Sequence, residues 1–230
     1  MNIFKNKNMK NLLFTLAVVC FSLNFTNAQS SEGHIKYDID VSSDNPDMAM
    51  AVSMMNGAKM EVAFSGKKSF VMMNMGVIMT MKTVTDEDGK VLLLIEGMMG
   101  KKAIKSSLEE MEGEIEKIDE KSDVEITLEK ETKMVAGYKC KKAIISGDDD
   151  TEIIYWYTEK FIVEGKTEGN ANGRIPGIAL AFELENENGL KMSYTATEVK
   201  EEIKDDSIFD LTVPEGFTEM SYEDFKTMGM

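Results

Sequence analysis

Methionine is the residue type in this sequence that is most suited to ligand binding. The chain has 20 methionines, and 12 of them fall between Met48 and Met99. The methionine side chain is unbranched and polarizable, so it repacks readily around apolar ligands of varied shape. The same softness suits the filling of an irregular core, and thioethers also bind copper(I). The sequence therefore leaves three interpretations open: a deformable ligand cavity, an irregular core and a copper site.

The titratable residues give little support for catalysis or metal binding. Beyond residue 28 the sequence contains one histidine, His34, and one cysteine, Cys140, with no evident third residue to orient them as a catalytic pair. His34 is predicted to be solvated, and Cys140 to be a small buried apolar side chain. Carboxylates cluster at 86–88 and 148–150, but both clusters have turn-like sequences, and neither has the spacing of an EF-hand calcium loop. We therefore predict no enzymatic activity, no metal and no cofactor.

The first 28 residues have the pattern of a secretory signal peptide. Three lysines precede an apolar run over residues 12–25, and Thr-Asn-Ala at 26–28 reads as a cleavage site. A lipid anchor at Cys20 is less favoured, because Val19 stands where a small residue is wanted. We expect an exported protein, periplasmic or extracellular, in which residues 29–230 form a single domain.

Charge and hydropathy exclude several classes of partner. The formal net charge of −15 becomes −18 when the three signal-peptide lysines are removed, which disfavours nucleic acid and anionic membrane surfaces. No later stretch reaches the roughly 18 to 20 apolar residues that span a membrane. With Cys140 the one cysteine left, no internal disulfide can form, so packing must hold the fold.

The segment 45–57 predicts a short helix around which the rest of the chain is organised. Asn45 suits an N-cap, Pro46 the first helical position, and Gly57 a left-handed C-terminal stop. Between these ends the apolar side chains point in nearly every direction, and a helix that is apolar all round must be surrounded by protein. Because so short a helix is marginal alone, we expect burial to stabilise it.

Alternating apolar residues and turn signals predict about ten or eleven antiparallel strands. These strands fall at 34–41, 59–64, 68–75, 77–84, 90–96, 124–128, 132–145, 151–158, 178–185, 190–199 and 209–213. The strand at 151–158 is apolar on both sides and is expected to be central. Capping-box residues at 107 and 110 predict an amphipathic helix over 107–118, and a helical tail is expected near 221–226.

We therefore expect a mainly β protein with few helices (α+β), built as an incomplete antiparallel β-barrel wrapped around the short apolar helix. Such a half-barrel encloses an apolar cavity. The residues predicted to line it are Met50, Met54, Met73, Met79, Met81, Leu93 and Trp156. A lid is predicted from Leu108, Met111 and Ile115, and Arg174 is a candidate partner for a ligand head group.

Four stretches of the chain resemble a family of secreted Bacteroidetes proteins, domain of unknown function 4412. They are Asp-Asn-Pro-Asp-Met-Ala-Met at 44–50, Met-Met-Asn-Met-Gly at 72–76, Val-Ala-Gly-Tyr-Lys-Cys-Lys-Lys at 135–142 and Ile-Phe-Asp-Leu-Thr-Val-Pro-Glu-Gly-Phe at 208–217. That family is similar to the LolA and LolB lipoprotein carriers and related periplasmic lipid-binding proteins. The resemblance implies an incomplete barrel that wraps a helical plug around an apolar cavity, and it implies no catalytic residue.

Two functions follow as hypotheses. In the first, the protein binds a hydrophobic ligand or a lipidated protein in a methionine-rich cavity. In the second, it is a structural or adaptor protein of the cell envelope that binds another protein through a strand edge or a methionine-rich face and has no small-molecule ligand.

Overall fold

The structure is a computed structural model that describes residues 29–98, 100–111, 125–146, 152–162, 175–185 and 188–227. Twelve strands and two short α-helices account for most of these residues. The strands are β1 (Glu32–Ser43), β2 (Lys59–Ser65), β3 (Lys68–Asn74), β4 (Met79–Thr85), β5 (Lys90–Gly97), β6 (Gly100–Ser107), β7 (Glu125–Val135), β8 (Tyr138–Ser146), β9 (Glu152–Thr158), β10 (Ile178–Glu185), β11 (Leu190–Lys200) and β12 (Thr218–Ser221). The α-helices are α1 (Ala49–Met54) and α2 (Tyr222–Thr227), and 3-10 turns cover Pro46–Met48 and Asp206–Phe209.

All twelve strands belong to one open sheet, in the order β12-β6-β5-β4-β3-β2-β1-β11-β10-β9-β8-β7. The prediction of a mainly β protein with few helices is confirmed. Every neighbouring pair is antiparallel except β12 and β6, which run parallel, so the expectation of an all-antiparallel sheet is wrong at that edge. β12 runs parallel because the chain crosses the sheet before it reaches this edge.

Contacts between strands that are not neighbours show that the sheet is strongly curved. The Tyr37 hydroxyl on β1 donates to the Ala179 carbonyl on β10 at 2.9 Å, across the intervening β11. The rings of Phe64 on β2 and Phe161, just beyond β9, have centroids 5.6 Å apart. Ser30 pairs with Phe161 in a parallel bridge, so the segment before β1 joins the two sides of the curve at one end. The inner side is called the concave face below, and the outer side the convex face.

The main core fills the concave face from β2 through β1 to β8. It follows from strand alternation, since the odd residues Ile35, Tyr37 and Ile39 of β1 are buried while their even neighbours are not. Across β9, β10 and β11 the rings of Tyr155, Phe182 and Tyr194 stack, with successive centroids 5.3 and 4.4 Å apart. Packing of this kind holds the curve without a disulfide.

The convex face of β2–β6 is covered by the chain that follows β11. Phe209 packs on Ala63, Phe70 and Val84, and Leu211, Val213 and Phe217 pack on β5 and β6. The strand predicted at 209–213 is therefore wrong, because residues 206–209 form a 3-10 turn and 210–213 have no strand partner. A segment laid across a sheet buries alternate residues just as a strand does, so the pattern alone did not separate the two cases.

The helix begins as predicted, but protein does not surround it. The Asn45 side chain accepts a hydrogen bond from the Asp47 N–H at 3.1 Å, and Pro46 follows it. No residue of α1 is buried, and Met50 is 76% exposed. The prediction that this helix is a buried plug is therefore wrong, and so is the prediction that Met50 lines a cavity. Met55, just after the helix, is buried. Strand side chains fill the core, and α1 lies across the end of the sheet between β1 and β2.

Two strands, β6 and β9, differ in detail from what the sequence predicts. β6 was not predicted, because Lys101, Lys102 and Lys105 mask its buried Ala103 and Ile104. β9 is not buried on both faces, since Ile154 is 38% exposed. Among the described residues, no helix is long and apolar enough to cross a membrane.

Candidate functional site

The concave face of β3 and β4 carries a row of apolar side chains that the core does not fully cover. Strand pairing places Met73 opposite Met81, and both lie in line with Met60 on β2 and Ile95 on β5. Met60 and Ile95 are buried, whereas Met73 and Met81 are half-buried. The exposed part of the row therefore lies on β3 and β4.

We call four half-buried residues the methionine strip: Val71, Met73, Met79 and Met81. Their side chains share the concave face, because they alternate along β3 and β4 in register. Val71 and Met73 pack against the main core, and Met79 and Met81 pack against a separate cluster near the β12 edge. The strip is thus the seam between two packed regions.

The edge cluster closes the far side of the strip. Leu93, Ile95 and Ile104 form its buried centre, and the C-terminal helix α2 contributes Tyr222 and Phe225. Leu93, one of the predicted cavity residues, is 6% exposed and belongs to this packed centre. It supports the wall of the strip and does not lie on its open surface.

A glycine keeps the strip open at its β5 side. Gly97 pairs with Met79, and a Cβ atom built on Gly97 would lie 3.2 Å from the Cβ of Met79 and 2.8 Å from the Ile78 carbonyl. A side chain here would crowd both the methionine and the hairpin that carries it. Gly97 therefore leaves the thioether of Met79 without a side chain opposite it.

The apolar row ends at a lysine on β6. Lys102 on β6 pairs with Ile95, so the two side chains lie on the same concave face. It is half-buried and forms no ion pair within the described part of the chain. A lysine placed at the end of an apolar surface is suited to an acidic group on an apolar chain, because its stem packs while its ammonium binds the charge.

The other predicted cavity residues lie elsewhere. Met54 is half-buried in α1, and its carbonyl accepts a hydrogen bond from the Val77 N–H at 2.9 Å. Trp156 alternates with the buried Tyr155 and Tyr157 on β9, five strands from β3, and the Lys133 ammonium lies 4.4 Å from its ring centroid. The structure therefore brings together Met73, Met79, Met81 and Leu93, but not Met50 or Trp156.

The predicted lid begins as a helix at the end of β6. The Ser107 hydroxyl accepts from the Glu110 N–H at 3.3 Å, as the capping pattern predicts. Leu108 is 39% exposed, and its N–H donates to the Gly89 carbonyl, which places it beside the β4–β5 turn. Met111 is half-buried. Ile115 and Arg174 lie outside the described residues, as do the carboxylates at 148–150.

The titratable groups form no catalytic arrangement in the described ranges. His34 is not solvated as predicted, because its ring lies against Glu61 in a half-buried pair on the convex face. Cys140 is fully buried as predicted, and burial raises the pKa of its thiol to about 11. The described residues hold no group of three His, Cys, Asp or Glu side chains placed to bind a metal ion.

Two pockets lie outside the strip. One, of about 500 Å³, lies between α1 and β1 and includes Val52 and Met55. The other, of about 970 Å³, includes Tyr138, Lys141 and Glu159. In the second pocket Lys141 pairs with Glu159 at 2.6 Å, so charges already neutralise each other there.

Comparisons with known proteins add little to this geometry. The chain matches no family model and no curated protein. Among 42 matching chains of solved structures is one described as "Structure of PNGF-II in C2 space group". It is 18% identical with a TM-score of 0.46, over 86% of this chain and 32% of that one. The chain thus spans about a third of the length of the structure it matches, and this likeness carries no argument about function.

Proposed function

We propose that the protein is an exported cell-envelope protein that binds a hydrophobic ligand, a lipid or a lipoprotein acyl chain, on the methionine strip. The observation that supports this proposal is the partly buried row of Met73 and Met81 between two packed regions of one concave face. Thioether side chains there offer a deformable apolar surface for an acyl chain. Export rests on the signal-peptide pattern of residues 1–28.

The proposal includes the finer fold assignment. The curved open sheet is compatible with the half-barrel of LolA-like carriers and with the resemblance to the domain-of-unknown-function 4412 family. In this protein the apolar surface is supplied by β3 and β4, and α1 lies at the end of the sheet and does not plug it. We further propose that Lys102 binds the acidic head group of the ligand.

A titration with a fluorescent fatty acid and with its methyl ester tests both parts of the site. We expect the double variant Met73→Gln/Met81→Gln to weaken binding of both probes by roughly tenfold or more, because amide groups oppose acyl-chain burial. Lys102→Ala should weaken the acid selectively, because the ester has no charge. Met134→Gln is the matched control, since Met134 is 64% exposed on β7, far from the strip in the strand order.

Equal binding by the parent and the double variant would exclude the strip as the site. The adaptor function is the second candidate, and the exposed apolar side chains Leu128 and Met134 on the edge strand β7 favour it. Affinity capture from envelope extract separates the two functions. A stoichiometric protein partner, recovered without bound lipid, would support the adaptor.

A further inference from the structure

Three connections at one end of β1–β6 each expose a large apolar side chain. Met50 is on the helix between β1 and β2, Val77 on the β3–β4 hairpin and Met98 on the β5–β6 hairpin. Their exposed fractions are 76%, 75% and 82%, the largest for any big apolar side chain in the described residues. We call these three residues the apolar platform.

Backbone contacts hold the three connections against one another. The Val77 N–H donates to the Met54 carbonyl at the end of α1. Gly76 has a φ of 63°, and a Cβ there would lie 2.2 Å from the Met54 carbonyl oxygen, so only glycine permits this approach. At Gly97, a Cβ would lie 2.8 Å from the Ile78 carbonyl oxygen, so this contact is also close. The exposed side chains are therefore carried on a packed surface.

The sequence around the platform lacks charge. None of residues 48–58, 69–81 and 97–100 is charged, in a chain that is 29% charged overall. The turns at the opposite end of the same strands read Ser-Gly-Lys-Lys at 65–68 and Asp-Glu-Asp-Gly-Lys at 86–90. Loop tips are normally polar, so three uncharged apolar tips at one end indicate a surface that meets an apolar environment.

Size and charge decide what that environment is. Three side chains are far fewer than the roughly 20 to 30 residues a side that a standard protein interface uses. A lipid surface sets no such minimum number of residues, because binding to it scales with the apolar area that is buried. The lysines that border the platform, Lys59, Lys101 and Lys191, pair with carboxylates at 3.2, 2.8 and 3.7 Å. Those cations are already neutralised, which disfavours anionic lipid head groups.

We propose that this end of the molecule docks on a neutral lipid surface, with Met50, Val77 and Met98 inserted among the lipids. The docking face is distinct from the methionine strip, and it does not depend on a ligand bound there. Asp47, which precedes the helix, adds negative charge beside the platform. Attachment is accordingly apolar and not electrostatic.

Flotation with phosphatidylcholine vesicles tests the proposal. The chain is used from Gln29 onward, because this part contains every described element and the apolar run at 12–25 would itself bind lipid. We expect the parent to float with the vesicles and to stay bound in roughly 0.5 M salt. Met50→Ser/Val77→Ser/Met98→Ser should reduce binding by roughly tenfold or more. Leu128→Ser/Met134→Ser, exposed apolar residues on β7, is the matched control and should float like the parent.

Thermal melts and three single-site variants guard against a folding artefact. Each single variant should reduce flotation in part while melting like the parent, because its side chain is mostly exposed. No flotation of the parent with neutral vesicles would overturn the proposal, as would full flotation of the triple variant. Binding that needs anionic lipid and disappears at high salt would also overturn it. Self-association of the parent that the triple variant abolishes would overturn the proposal too. The platform would then be a contact with a second copy of the chain.

Discussion

Strands β3 and β4 carry apolar side chains on both faces, and the two faces differ in how far those side chains are covered. On the convex face, Phe70 and Val84 are buried beneath Phe209 from the C-terminal segment. On the concave face, Met73 and Met81 are left half-buried between two packed regions. The chain seals one apolar face with its own residues and leaves the other open. This contrast is the physical basis for the proposal that a ligand binds on the concave face.

Breaking the sealed face should have the largest effect on stability. Phe209→Ala removes a 6% exposed ring from the convex cluster and should lower the free energy of unfolding by about 3 to 5 kcal/mol. Met73→Ala, on the open face of the same pair of strands, should cost less than half as much, because its side chain is only partly buried. Urea unfolding of both variants measures the difference. Equal losses would show that both faces are equally packed.

Titration of Cys140 reports how dry the filled part of the concave face is. Burial raises the pKa of this thiol from 9.0 to about 11, so the folded state keeps a proton that the unfolded state has lost. The stability from this group is complete below pH 9 and falls as the pH rises from about 9 to about 11, by at most about 3 kcal/mol.

Cys140→Ala isolates this effect. Burial also raises the pKa of the Tyr37 hydroxyl, but Tyr37 is present in both the parent and the variant. Unfolding measured against pH should show the parent losing stability relative to the variant above pH 9. Parallel curves over that range would mean that water reaches the thiol.

The smallest effect is expected at the exposed helix. Met50→Asp should change the free energy of unfolding by less than about 1 kcal/mol, because Met50 is 76% exposed and a carboxylate there stays hydrated. Met55→Asp is the matched control, one residue past the helix and 3% exposed, and it should cost several times more. Thermal melts compare the two. A severe loss for Met50→Asp would restore the buried plug that the sequence suggested.

The sequence predicted local structure better than it predicted burial. Alternation located most strands within one or two residues, because a strand with one buried face repeats every second residue. The N-terminal cap of the 45–57 helix at Asn45 was also correct, whereas the α-helix ends at Met54, three residues before the predicted stop at Gly57. The predicted environment of the helix was wrong, since an apolar side chain in the core and one on the surface look identical in sequence. β6 was missed for a related reason. Its lysines give it a polar composition that does not suggest a strand, and pairing with the neighbouring strands compensates for that composition.

The site was predictable in part. The clustering of methionine pointed to Met73, Met79 and Met81, which the fold places together on one face. Lys102 was missed, because its position depends on its pairing with Ile95 across β5 and β6. Trp156 was assigned to the cavity although it lies five strands from β3 in the sheet. Strand order is set by long-range pairing, and local patterns do not encode it.

Native mass spectrometry of the protein purified under mild conditions from its own envelope tests the central claim most directly. The open methionine strip predicts a population carrying the added mass of an acyl-containing lipid, which solvent extraction releases and identifies. Met73→Gln/Met81→Gln, purified in parallel, should carry much less of it. A spectrum with only the apo mass under all mild conditions would contradict the assignment of ligand binding to the open face.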